Sequence, residues 1–161
     1  MGKRRQAREM AMQALYFLEE QAGDADQALA LFCGNFAPPR KTRLFFEELV
    51  HGVQQSRAVI DAIVETYSDN WKVFRMPRVD RNVIRVAVYE MFWIEDIPAK
   101  VTINEAIDIG KRFGTEDSGA FINGILDRIR LALEKGEIEV PAKPAVVAAP
   151  PASQPAGDLS M

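Results

Sequence analysis

The chain has 161 residues, 48% of them hydrophobic, with 20 Lys+Arg against 23 Asp+Glu for a net charge of −3. That suffices for one compact domain or two small subdomains with a core, and no apolar stretch approaches the roughly 20 residues that cross a bilayer. One cysteine, Cys33, and one histidine, His51, exclude an internal disulfide and a structural zinc site, and an N-terminus without a signal peptide's apolar block predicts a cytoplasmic protein.

Lys3, Arg4, Arg5 and Arg8 stand in the first eight residues without one acid. They lead into a run whose spacing predicts a helix from about 4 to 21, with Ala7, Met10, Ala11, Ala14, Leu15 and Leu18 inward and Gly23-Asp24 as its end. A basic arm continuous with a packed helix holds its charges in a fixed frame, suited to following the phosphates of RNA or DNA. Without those four residues the balance is 16 against 23, so an acidic body repels nucleic acid everywhere except at that end. The competing reading is a solvated chain end.

A shorter helix is expected over about 25–36, with Cys33 packed in its apolar run, and Ala37-Pro38-Pro39 forces an extended turn after it. The third helix spans about 42–67, with Leu44, Phe45, Leu49, Val53, Ile60, Ile63 and Val64 as core candidates. Trp71 to Pro77 is an aromatic connector and the expected subdomain boundary. Asp80 reads as the N-cap of a fourth helix that is apolar almost all round and therefore buried. Arg75, Arg78, Arg81 and Arg85 flank and enter it; Arg85, among apolar neighbours, reads first as a structural ion pair with Glu90 or Glu105 and second as a phosphate contact.

Thr102-Ile103-Asn104-Glu105 reads as a capping box opening a helix to Phe113, stopped by Gly114. Thr115 to Ser118 then offers caps for a last helix with Phe121, Ile122, Ile125, Leu126, Ile129 and Leu133, ending at Gly136. Residues 137–161 are Ala/Pro-rich with no helical stripe and are expected to be a disordered tail. The fold class is all-α: about seven helices in two packed helical subdomains, a three-helix N-terminal bundle (about 1–75) and a C-terminal bundle (76–136).

Catalytic signatures are lacking. His51 sits mid-helix with no glycine-flanked serine elbow in the chain, no phosphate-binding glycine loop follows a strand, and Glu19-Glu20, Glu47-Glu48 and Glu116-Asp117 are sequence neighbours that point apart on a helix. They read as solvated or capping groups. No enzyme, no cofactor and no metal is expected.

Arg4-Arg5-Gln6-Ala7-Arg8-Glu9 with Gln13-Ala14-Leu15-Tyr16, Ile84 to Glu90, Ile97 to Ala106, and Lys111 to Ser118 with Phe121 to Asp127 form four blocks in order. Together they resemble the NusB family of transcription antitermination factors from about Arg4 to Arg130. The resemblance implies binding of the boxA element of nascent RNA together with NusE, a ribosomal small-subunit protein, within an antitermination complex on RNA polymerase, chiefly on ribosomal RNA operons. By position it implies RNA contacts from Lys3, Arg4, Arg5, Arg8, Tyr16, Phe113, Asp117 and Phe121, and a NusE contact from Asp80. It also leaves a homodimer open. Core packing competes with stacking for Phe121, and four phosphate contacts imply a salt slope of about −3.

The chain departs from the family pattern at Gln6, where many relatives are basic, at Gly110, where alanine is usual, and in its tail. Two other classes stay open. One is a helical protein-binding adaptor, and the other is a relative of the RNA-binding part of ribosomal RNA cytosine methyltransferases, which need a further Rossmann-like domain.

Overall fold

The computed structural model describes residues 2–38 and 40–143. Six α-helices follow one another there: α1 (Gly2–Glu20), α2 (Ala25–Asn35), α3 (Arg43–Thr66), α4 (Arg78–Trp93), α5 (Ala99–Phe113) and α6 (Ser118–Glu134), with 3-10 turns at Arg40–Thr42 and Val73–Arg75. The all-helical expectation holds, with six helices rather than about seven and no strand among the described residues.

Helix α4 is the axis of the bundle. All but four of its 16 residues are buried, and α1, α3, α5 and α6 pack around it, so one continuous apolar core runs from Ala7 to Ile129. Its burial follows from apolar residues on every side, which leave no face for water. The stripe of α3 that meets it is Phe46, Leu49, Val50, Val53, Ile60 and Val64. Leu44, expected in the core, is 83% exposed because it lies off that three-and-four spacing.

Close approach of α3 and α4 depends on Gly52. A Cβ there would stand 2.3 Å from the Tyr89 ring, so only glycine lets that ring pass and donate its hydroxyl to Glu48 Oε2 at 3.0 Å. Gly110, the departure from the usual alanine, has a similar reason: a Cβ would stand 2.3 Å from Ile122 Cδ1 of α6.

Two expected helix starts are corrected. Helix α4 begins directly after Pro77, so Asp80 is not its N-cap; it lies inside the first turn, 3% exposed, and accepts a 2.7 Å hydrogen bond from Ser118 Oγ. Helix α5 begins directly after Pro98, so Thr102 caps nothing and instead donates to Glu90 Oε1 at 3.0 Å inside the core. In both places the proline, which cannot sit inside a helix, sets the start one turn earlier than the capping motif suggests.

Cys33 lies half-buried against the core. Residues 137–143, assigned to the tail by composition, make defined contacts: Trp93 Nε1 donates to the Pro141 carbonyl at 2.9 Å and Lys143 meets Glu48 at 2.8 Å. The rest of that expected tail, 144–161, lies outside the described residues.

Candidate nucleic-acid interface

The basic arm forms the first two turns of α1, and most of its charge is already engaged. Arg8 is 4% exposed; its Nε and Nη2 donate to Glu90 at 2.7 and 3.0 Å. Arg5 donates from Nε and Nη2 to Glu105 at 2.9 and 2.8 Å, and Nη2 also reaches Asp108 at 2.8 Å. The hydrogen bonds from Arg5 hold the Glu105 carboxyl below its ordinary value, overcoming the opposing effect of burial. Arg4 lies at the surface with a 3.3 Å contact to Asp96 and sits over the Phe45 ring at 5.2 Å.

Arg8 is thus enclosed in a carboxylate pair. A guanidinium buried in a two-pronged carboxylate pair is not available to a phosphate, and its work is to clamp α1 onto α4. The cause is tertiary: α4 carries Glu90 into the core, and among the described residues its cationic partner is Arg8 of α1. Lys3 remains exposed, and its ammonium is pushed below the ordinary 10.5 chiefly by the side chain of Lys41 beside it. Neither lysine meets a carboxylate within 4.0 Å among the described residues, so the uncompensated charge at this end is Lys3 with Lys41, with Arg4 beside Lys3 in sequence.

The second basic set is also structural. Glu19, read as solvated, is instead a nearly buried hub: it accepts from Arg81, from Arg85 Nη1 at 2.7 Å and from Asn82 Nδ2 at 3.0 Å, with Arg78 Nε at 3.3 Å. Burial raises the Glu19 pKa, but these donors outweigh it and the net shift is downward. The ion pair expected of Arg85 exists with different partners, Glu19 and Asp61, the latter at 2.9 and 3.0 Å. Three arginines at three- and four-residue spacing on a buried helix were the signal that a carboxylate must face them.

The remaining positions gather around the first turn of α4. Tyr16, 36% exposed, has the Arg78 guanidinium over its ring at 5.0 Å. The α5–α6 turn, which carries Phe113 and the exposed Asp117, is tied to that same turn of α4 by Ser118 and Asp80. Arg112 lies 5.1 Å over the Phe113 ring and reaches back to Glu9 of α1 at 3.1 Å. Phe121 points elsewhere, edge-on to Trp71 at 5.0 Å. Asp80, expected to touch a protein partner, lies beneath the start of α6, and burial raises its pKa despite the Ser118 hydrogen bond. Sequence reasoning left Arg112, Lys41 and Trp71 unassigned because their meaning depends on neighbours distant in the chain.

No helix among the described residues is long and apolar enough to cross a membrane, and no cluster of three or more metal-ligating side chains occurs among them.

Comparison with known proteins follows the same boundaries. The NusB family profile matches residues 5–130. A transcription antitermination protein NusB from Desulfatibacillum aliphaticivorans is 53% identical over 137 residues, covering 85% of this chain and 96% of that protein. Among solved structures, T. maritima NusB is 38% identical with a TM-score of 0.73, covering 84% of this chain and 97% of its own. A structure described as antitermination factors NusB and NusE in complex with dsRNA shares the fold at a TM-score of 0.73 and 22% identity, covering 82% and 98%.

Proposed function

The chain belongs to the NusB family, and on that premise we propose that it is a transcription antitermination factor that binds boxA-type single-stranded RNA together with NusE within the RNA polymerase complex, chiefly on rRNA operons. It works by binding, not catalysis, in the cytoplasm. The observation that carries this reading is a local one: on an acidic chain, the neighbouring cations Lys3 and Arg4 both stand exposed at the start of α1. Like charges held together at a surface favour a polyanion that relieves their repulsion.

Lys3 and Arg4 supply the outer phosphate contacts, and Arg5 can turn its Asp108-facing edge to a phosphate while Glu105 keeps the other edge. Tyr16, Phe113 and Asp117 line the face that continues from the arm toward α6, where open base faces of single-stranded RNA can stack. The test is a titration of boxA-type RNA with NusE present and absent. Binding that tightens with NusE and weakens with salt supports the reading; indifference to RNA rejects it. The adaptor reading keeps one support, the exposed apolar side chains Leu31, Phe36 and Leu44, and predicts partner binding without RNA. A homodimer over the same face would compete with RNA, and mass measurement with and without RNA decides that.

A further inference from the structure

A cleft of about 280 Å³ opens between the turn after α3 and the outer side of α6. Trp71 forms one wall and is 44% exposed; Phe121 stands edge-on to it at 5.0 Å with 66° between the rings. An edge-on contact covers at most one of the four ring faces, so the pair retains open faces for a third flat ring. Ala120 and Gly124 make the floor shallow, and a Cβ added at Gly124 would meet nothing within 4 Å, so the space above it is open. The volume lies just under the roughly 300–1,000 Å³ of drug-sized sites, which suits one flat base.

Trp71 is held in advance of any ligand. Asp69 and Asn70 both take positive φ, 58° and 63°, to make a tight turn, which is closed by Trp71 N donating to the Ser68 carbonyl at 3.1 Å and Ser68 Oγ donating to the Trp71 carbonyl at 3.1 Å. Asn and Asp tolerate that backbone region better than other residues with a side chain, and a platform fixed beforehand loses little freedom on binding. Arg128 closes the far end. Its ion-pair partner among the described residues is Asp69 at 3.3 Å, a surface pair that is worth little and leaves the guanidinium able to move to a phosphate.

Asp117, Phe121, Gly124 and Arg128 recur at three- and four-residue intervals, so they form one stripe along α6. The cleft is thus continuous with the α5–α6 turn of the proposed RNA face. We propose that the Trp71–Phe121 cleft stacks one unpaired base of the bound RNA, with Arg128 meeting the adjoining phosphate. This rests on the RNA-binding reading above, and it extends the RNA path from Phe121, an RNA contact the resemblance implies, to Trp71, Gly124 and Arg128, which neither assigns.

The experiment uses the full chain and a short boxA-type single-stranded RNA. Gly124→Leu, whose Cβ meets nothing within 4 Å, places its branch in the open space above Gly124 and is expected to lower RNA affinity about five- to a hundredfold, the loss of one stacked base. Gly124→Ala, which favours the helix and adds only one methyl, is the folding control. RNA is expected to quench the exposed Trp71 and to leave the buried Trp93 unaffected, so Trp71→Phe abolishes the quench. Wild-type affinity in a folded Gly124→Leu, or a quench that persists in Trp71→Phe, overturns the cleft alone. Loss of a protein partner with unchanged RNA affinity does the same, because it assigns the cleft to a peptide. Absence of RNA binding by the unaltered chain, with and without NusE, overturns both readings.

Discussion

Arg8 and Glu90 meet through two hydrogen bonds of 2.7 and 3.0 Å, both side chains almost wholly removed from water, with Thr102 donating a third bond to the same carboxylate. Three helices are joined at this point, α1, α4 and α5. A carboxylate at that depth is tolerable only because each of its oxygens has a donor.

Removing the cation should therefore cost more than removing a surface charge. Arg8→Ala is expected to destabilise the chain by about 3–5 kcal/mol, since it leaves Glu90 buried and unpaired. Arg8→Ala combined with Glu90→Ala should recover part of that loss, a coupling readable from urea midpoints in a double-mutant cycle. Additive losses would show that the pair does not act as a unit.

The outer arm should behave differently. Lys3→Ala with Arg4→Ala is expected to weaken RNA binding with no more than about 0.5 kcal/mol change in stability, as for other surface substitutions. With Arg8 withdrawn into the core, three phosphate contacts remain, so log affinity against log salt should have a slope of about −2 and not the −3 that four contacts imply. The double variant should flatten it toward about −1.

Acid should loosen the arm before the core. Glu105 has its folded value held below the ordinary 4.5, above all by the hydrogen bonds from Arg5. Its contribution is therefore fully present above pH 4.5 and is lost as pH falls through the lower folded value. Protection of the amides in the first turns of α1, corrected for the intrinsic exchange rate, should fall as pH drops from about 4.5 toward about 3, and Glu105→Gln should show the low protection at both ends. Asp80 runs the other way. Burial raises it above 3.8, so its contribution is greatest at low pH and declines as pH rises through the folded value. Asp80→Asn, which keeps an acceptor for Ser118 Oγ without a charge, should match or exceed the parent in stability at neutral pH.

The α3–α4 contact offers a steric test. Gly52→Ala places a methyl 2.3 Å from the Tyr89 ring and should cost about 1–3 kcal/mol despite alanine's better helix propensity. Gly52→Ala with Tyr89→Leu should restore part of the lost Tm, because the clash disappears with the ring.

Local pattern was enough for the helices. Apolar residues at three- and four-residue spacing, prolines at the starts of α4 and α5, and the saturated hydrophobicity of α4 are properties of short windows, and they determine which segments coil and which one is buried. The same windows carried the family likeness across residues 5–130. What they do not contain is the partner of a charge. Arg8 and Glu90 are 82 positions apart, and Arg5 and Glu105 are 100 apart. Whether a guanidinium in the arm faces a phosphate or a carboxylate is decided only when α1 is laid across α4 and α5. A cation's role depends on the nearest opposite charge and on the water between them, and both are set by packing rather than by sequence neighbours.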